Sequence, residues 1–184
     1  MSKETKRELI KKLDKMKAIC AVRAEVLKAH EDARFLFMER LSPEEREVLR
    51  KLASGEISAE SKLRGRAINI LGFERKDPDE ALSVLQNIIL SETNVQLRIK
   101  SLRAMARINR DIAIQLSREL LRVPDTNTAL SLAAARISIL DRKVEVTQEL
   151  DDLRNRFVKF GIHDNSQTMR TLKSLIKMGV GVRD

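Results

Sequence analysis

Residues 77–108 constrain the fold of this chain more than any other stretch, because they predict two helices joined by a short turn. Asp77 is a good helix N-cap, Pro78 suits the first helical position, and Glu80 stands where a capping-box acid reaches back. Apolar residues then recur at spacings of three and four, which predicts one buried stripe on the first helix. Polar residues 91–94 supply the turn. The stretch therefore predicts an antiparallel helical hairpin.

The two helices of this hairpin recur in the neighbouring sequence. Residues 63–72 match residues 97–106 at an offset of 34, and residues 81–89 match residues 113–121 at an offset of 32. A third copy of the first helix of the repeat is predicted over residues 128–140. Self-similarity with a period of about 20 to 50 residues is typical of stacked helical repeats, in which each repeat is buried mainly by its neighbours.

The pattern resembles the HEAT-repeat family of armadillo-type α-solenoids, in particular the short bacterial HEAT-like repeats, over about residues 59–156. The resemblance lies in the pairs Leu63-Arg64 and Leu97-Arg98, which open two first helices, and in the acid-Pro-acid-Glu-Ala turn at residues 77–81. It implies an all-α fold, namely a short right-handed α-solenoid of HEAT-like helical hairpins with N- and C-terminal capping helices. It also implies a protein that binds other macromolecules.

The chain is predicted to form a single all-helical domain. Residues 1–54 are expected to supply N-terminal capping helices, residues 58–160 the HEAT-like repeats, and residues 165–184 a C-terminal capping helix and tail. The apolar pattern of the first helix suits packing on its own repeats, and it also suits coiling with a second copy of the chain.

Local signals predict several helix ends. Ser42 and Glu45, with Pro43 between them, predict a capping box, and Gly55 predicts a left-handed helix end. Ser58 is expected to cap the first repeat.

The composition agrees with a helical protein of 184 residues, since aromatic residues make up only 3% and there are only 6 Gly and 3 Pro. The single Cys20 cannot form an intramolecular disulfide. No window approaches the roughly 18 to 20 apolar residues of a membrane span, and no signal peptide is recognisable. A cytoplasmic location is therefore expected.

The net charge of +9 is concentrated near the two ends of the chain. Residues 1–17 carry seven Lys and Arg against three acids, and residues 153–183 carry seven against one, whereas the residues between them are balanced. Basic segments suit phosphate backbones or an acidic protein. The candidate nucleic-acid contacts in these segments are Lys3, Arg7, Lys11, Lys12, Lys15, Arg170, Lys173 and Lys177.

The resemblance also implies roles for six other arginines. Arg64 and Arg98 open equivalent helices, and such positions commonly form an intramolecular ladder with acids or carbonyl oxygens of neighbouring repeats. Solenoids of this type line their concave side with the second helix of each repeat. The predicted partner-binding residues are therefore Arg118, Arg122, Arg154 and Arg156.

No catalytic constellation is evident in the sequence. His30 and His163 lie far apart, and neither has a second metal ligand at helical spacing beside it. The sequence therefore predicts a non-enzymatic protein with no cofactor and no metal site.

Two functions are compatible with these features. The first is an adaptor or scaffold that binds a protein partner through the second-helix face. The alternative is a nucleic-acid-binding helical-repeat protein that uses its basic N- and C-terminal segments. The lack of Tyr and Trp argues against single-strand binding by base stacking.

Overall fold

The computed structural model describes residues 28–123, 127–140 and 147–180. The chain divides into two compact units, Met1–Arg40 and Leu41–Asp184. Several residues singled out in the sequence lie outside the described ranges, namely Lys3, Arg7, Lys11, Lys12, Lys15 and Cys20.

In the first unit, residues 28–40 form the described part of helix α1. Phe35, Leu36 and Phe37 are exposed on this helix, and Met38 is fully buried.

The prediction of an all-α fold is confirmed for the described residues, which form helices and turns and contain no strand. The helices of the second unit are α2 (Pro43–Ser54), α3 (Ser61–Leu71), α4 (Pro78–Ser91), α5 (Val95–Ile108), α6 (Arg110–Arg122), α7 (Thr128–Ser138), α8 (Thr147–Lys159) and α9 (Gln167–Val180). None of the described helices is both long enough and apolar enough to cross a lipid bilayer.

Helix α2 begins and ends as its local sequence predicts. The backbone N–H of Glu45 donates a 3.2 Å hydrogen bond to Ser42 Oγ, and the backbone N–H of Ser42 donates a 2.8 Å hydrogen bond to Glu45 Oε2. This reciprocal pair is the predicted capping box. Gly55 ends the helix with a φ of 92°, a left-handed conformation that favours glycine because it has no Cβ.

Asparagine side chains cap the N-termini of helices α5, α6 and α7. Asn94, Asn109 and Asn127 each accept hydrogen bonds from backbone N–H groups at the starts of α5, α6 and α7. Asn109 also follows the last residue of α5, so a single residue joins α5 to α6. This short connection explains why the repeat offset falls from 34 to 32.

The predicted capping role of Asp77 is wrong, although α4 does begin at Pro78 as predicted. The Asp77 side chain makes no capping hydrogen bond. The turn before α4 is instead organised by the buried Glu74, whose Oε1 accepts hydrogen bonds from the backbone N–H groups of Arg75, Lys76 and Asp77. A carboxylate supplied three residues earlier in the chain therefore binds the N–H groups of this turn.

The predicted capping role of Ser58 is also wrong. Helix α3 begins at Ser61, and Glu60 occupies the N-cap position without a side-chain cap. The first helical bonds run from the N–H groups of Leu63 and Arg64 to the Glu60 carbonyl oxygen, which places Ser58 outside the helix.

The helices of the second unit pack in pairs and in rows. Consecutive helices pack as α2 with α3, α4 with α5, α6 with α7 and α8 with α9. The odd-numbered helices also pack side by side, because α3 contacts α5, α5 contacts α7, and α7 contacts α9. Among the even-numbered helices, α2 contacts α4 and α6 contacts α8. Helix α5 is thus enclosed by α3, α4, α6 and α7.

The core lies between these rows and matches the predicted apolar stripe of α4. The buried residues of that stripe are Ala81, Leu82, Leu85, Ile88 and Ile89. Helix α5 contributes Leu97, Leu102 and Met105, which are almost fully buried. Burial of such side chains is the main term that stabilises the packed helices.

Candidate functional site

Charge is divided unequally between the odd-numbered and even-numbered helices of the second unit. Helices α3, α5, α7 and α9 contain eleven Lys and Arg and no Asp or Glu. Helices α2, α4, α6 and α8 contain nine Lys and Arg and ten Asp and Glu. All acids of these eight helices therefore lie on the even-numbered ones.

The solvent-facing stripes of the odd-numbered helices lie side by side. Helix α5 has α3 and α7 on its flanks and packs against α4 and α6, and its side chains Gln96 and Arg103 are exposed to water. Helix α7 is enclosed in the same way by α5, α9, α6 and α8. The exposed stripes of the row thus form one surface, which we call the odd-helix face.

Seven cations on the odd-helix face make no ion pair or side-chain hydrogen bond with any described residue. Six of them are exposed and Lys100 is half-buried. They are Lys62, Arg66, Lys100, Arg103, Arg136, Arg170 and Lys177. Unpaired like charges gathered on one surface raise a positive potential over it and repel one another.

Lys100 is seated in a notch in the neighbouring helix. A Cβ atom on Gly65 of α3 would clash with Lys100 Nζ, so any other residue at this position would displace the amine. A second close approach of α3 to α5 occurs at Gly72, where such a Cβ would lie 3.0 Å from Ala104 Cα. The two glycines allow α3 and α5 to pack closely beneath the odd-helix face.

The two arginines predicted for an intramolecular ladder both bind the carbonyl end of the preceding helix. Arg64 Nη2 donates hydrogen bonds to the Ser54 carbonyl oxygen at 3.1 Å and to Glu92 Oε2 at 2.5 Å. Arg98 Nε donates a 2.6 Å hydrogen bond to the Ile89 carbonyl oxygen. Arginine at these positions satisfies carbonyl groups that a helix leaves unpaired at its C-terminus.

The structure engages three of the four predicted partner-binding arginines in internal contacts. Arg118 Nη2 and Arg122 Nη2 donate to Glu149 Oε1 at 2.9 and 3.3 Å. Arg156 Nη1 donates a 2.7 Å hydrogen bond to the Val123 carbonyl oxygen, and its Nη2 donates to that of Leu121. Arg154 is exposed. The partner-binding role of these four residues remains a prediction.

Burial and ion pairing act in opposite directions on Glu149 and Glu74. Burial alone would raise the pKa of Glu149, but the hydrogen bonds from Arg118, the Glu149 backbone N–H and Arg122, together with the charge of Arg118, outweigh burial and hold the pKa below its ordinary value. Burial would likewise raise the pKa of Glu74, but backbone N–H donors and the nearby Arg46 guanidinium lower it. The lowered pKa values favour the charged carboxylate form of both acids in the folded protein.

A third acid of this kind, Glu92, follows the end of α4. The pKa of its carboxyl is lowered by a hydrogen bond from the Asn94 backbone N–H and by the Arg64 guanidinium. The Glu92 carboxylate therefore forms an ion pair with Arg64, which is not one of the seven cations described above.

The three C-terminal residues predicted to contact nucleic acid lie on α9, and two of them belong to the odd-helix face. Arg170 and Lys177 are exposed and unpaired among the described residues. Lys173 is instead paired with Asp164, whose pKa the Lys173 ammonium lowers. Arg170 and Lys177 thus lie on the same face as cations of α3, α5 and α7 that the sequence did not single out.

The histidines lie apart in the fold as they do in the sequence. His30 is on α1, and His163 is in the turn before α9, and both are exposed. Within the described ranges, no group of three His, Cys, Asp or Glu side chains is placed to hold a metal ion.

Sequence reasoning missed Lys62, Arg66, Lys100, Arg103 and Arg136 because charge was summed along the chain. The missing signal is the absence of acids from every second helix, which becomes visible once the helix bounds are known. Comparison of the chain with protein-family models, with curated proteins and with solved structures finds no match.

Proposed function

We propose that this protein is a non-enzymatic helical-repeat protein that binds nucleic acid through the odd-helix face. The single observation that carries the proposal is the acid-free row of α3, α5, α7 and α9, with its seven cations that have no partner among the described residues. A polyanion compensates charges that otherwise repel one another, and it releases counterions when it binds.

The proposed architecture is a short α-solenoid of HEAT-like hairpins. Its support is the row of odd-numbered helices, in which α3 packs against α5, α5 against α7, and α7 against α9. Helices stacked in this manner leave a long lateral wall free for another molecule. The odd-helix face is one such wall.

The composition of the face favours recognition of the phosphate backbone over recognition of bases. None of the four helices that build it contains an aromatic residue, so bases of a single strand find no stacking platform. Lys and Arg bind phosphates without reading sequence. The proposed ligand is therefore a duplex, bound without sequence preference.

A second candidate function is the protein-binding role predicted for the second-helix face. A groove of about 420 Å³ between α6 and α8 favours it, because Arg122 lines this groove with 64% of its side chain exposed. Asp152 and Lys159 line the same groove, so it offers charges of both signs. Mixed charge suits a protein surface better than it suits a polyanion.

Fluorescence anisotropy with the full chain tests the leading proposal. A labelled random-sequence duplex and one of its single strands are titrated at about 50 and 200 mM salt. The proposal predicts duplex binding at the lower concentration that weakens steeply at the higher one. Absence of duplex binding at the lower concentration would overturn it.

Two further arms separate the other partner classes. Vesicles of phosphatidylcholine and phosphatidylserine test anionic membrane surfaces, and binding of vesicles without binding of duplex would contradict the proposal. An affinity pull-down from cell extract, with and without nuclease, tests protein partners. Partners that survive nuclease and are lost on replacing Arg122 by Glu would favour the second candidate.

A further inference from the structure

A groove of about 370 Å³ lies between α7 and α9, on the odd-helix face. It is lined by Arg136 of α7 and by residues of α9, among them Gln167, Arg170, Thr171, Ser174 and Leu175. Leu175 is almost fully buried and gives the groove an apolar wall. The remaining lining residues are polar or cationic except for one exposed methionine.

This groove differs in charge from two other grooves of the described residues. The groove between α6 and α8 contains Glu149 and Asp152, and the groove beside α4 contains Glu92. In both of those, an arginine is already paired with a carboxylate: Arg122 with Glu149, and Arg64 with Glu92. The groove between α7 and α9 has no acid among its described lining residues, and its two guanidinium groups have no described partner.

The side chains of this groove supply hydrogen-bond donors that suit a phosphate group. A guanidinium presents a planar set of N–H groups that matches two phosphate oxygens at once. The Ser174 hydroxyl and the Gln167 amide are unbonded to any described residue and add neutral donors. The Thr171 hydroxyl is different, because it donates a 2.9 Å hydrogen bond to the Gln167 carbonyl oxygen.

We infer that the groove between α7 and α9 binds one phosphodiester group of the nucleic-acid backbone, held by Arg136 and Arg170 from opposite walls. The inference rests on the proposed function and makes it more specific. It predicts that one phosphate site contributes more to nucleic-acid affinity than the other cations of the face do. The other five cations of the odd-helix face then make weaker contacts with other phosphates.

Two matched double variants of the full chain test the inference. One carries Arg136→Gln and Arg170→Gln, and the other carries Arg66→Gln and Arg103→Gln, which lie outside the groove on the same face. Both remove two unpaired arginines, so their net charges are equal. With the duplex at about 50 mM salt, the groove variant is expected to weaken binding about 30-fold or more. The control variant is expected to weaken it about tenfold or less.

Equal losses in the two variants would overturn the inference and leave the proposed function standing. Absence of duplex binding by the unmodified protein would instead overturn the proposed function. Circular dichroism and thermal unfolding check that both variants fold, as expected for side chains without described internal partners.

A second measurement on the unmodified protein does not depend on folding of the variants. Inorganic phosphate is added while the Nε–Hε signals of the arginines are followed by NMR. Shifts confined to Arg136 and Arg170 at the lowest concentrations support the site. Equal shifts of Arg66 and Arg103 contradict it, and shifts only at high phosphate concentration would indicate an adventitious ion only.

Discussion

Arg156 Nη1 donates a 2.7 Å hydrogen bond to the carbonyl oxygen of Val123, the residue that follows the last turn of α6. Arg64 and Arg98 make the corresponding contacts at the ends of α2 and α4, each from the next helix along the chain. Helix α7 has Ala129-Leu130 in place of the hydrophobe-Arg pair, and the arginine is supplied by α8 instead. One type of contact thus recurs at three helix ends from different sequence positions.

Replacing Arg156 by Gln is expected to lower the free energy of unfolding by roughly 1.5 to 3 kcal/mol, since charge-assisted hydrogen bonds to the end of α6 are lost. Arg154→Gln is the control, because this side chain is exposed on the same helix. Its effect should stay within about 0.5 kcal/mol. Urea unfolding measures both, and equal effects would refute a structural role for Arg156.

Stability is expected to fall as the pH drops below about 5. The pKa values of Glu74, Glu92 and Glu149 are lowered in the folded protein. A carboxyl with a lowered folded pKa contributes stability that is fully present above its unfolded pKa of about 4.3. That contribution is lost as the pH falls through the folded pKa. Urea unfolding from neutral to acid pH measures the loss.

A single substitution isolates one part of this pH dependence. Glu149→Gln removes the acid shared by Arg118 and Arg122, so the variant should be less stable near neutral pH and should lose less stability on acidification. Glu119→Gln is the control, because Glu119 is exposed on α6 and has no ion pair with a described residue. An unchanged dependence of stability on pH in the Glu149 variant would show that the ion pairs of Glu149 with Arg118 and Arg122 do not stabilise the fold.

The two glycines of the α3–α5 contact should respond differently to alanine. At Gly65 the nearest atom is the mobile Lys100 amine, so Gly65→Ala is expected to leave stability unchanged or to raise it by up to about 1 kcal/mol through helix propensity. At Gly72 the nearest atom belongs to the Ala104 backbone, so Gly72→Ala should cost about 1 to 3 kcal/mol. Thermal or urea unfolding of the two variants measures the difference in stability. Equal effects would be inconsistent with the close approach at Gly72.

The salt dependence of duplex binding counts the phosphates that are neutralised. Seven cations with no partner among the described residues lie on the odd-helix face, and if about five to seven of them contact phosphates, the plot of log affinity against log salt should have a slope of about −4.5 to −6.3. A slope near zero would mean that binding, if seen, does not use this face.

The sequence predicted the helices well where the deciding residues are local. Ser42, Glu45 and Gly55 define the ends of α2 by contacts within a few residues, and the start of α5 at Val95 follows from the polar turn before it. The cap at Asp77 was predicted wrongly: its side chain makes no capping hydrogen bond, and the buried Glu74 accepts the Asp77 N–H that a capping-box acid at Glu80 would bind. Burial of an acid depends on packing, which the local pattern does not contain.

The candidate site was less predictable because it depends on which helices lie side by side. Arg156 bonds to a carbonyl group 33 residues away, so its helical spacing with Arg154 says nothing about its partner. Arg136 and Arg170 line one groove although they are 34 positions apart in the sequence. Summed charge drew attention to the ends of the chain, whereas the packing of α3, α5, α7 and α9 gathers unpaired cations from its middle as well.

The most direct test of the odd-helix face compares two triple charge reversals measured for duplex affinity at about 50 mM salt. One variant carries Lys62→Glu, Arg66→Glu and Arg103→Glu on odd-numbered helices; the other carries Lys51→Glu, Arg154→Glu and Lys159→Glu on even-numbered helices, so both have the same net charge. The account predicts that the first variant loses duplex binding while the second retains most of it. Equal loss in both, or a greater loss in the second, would contradict it.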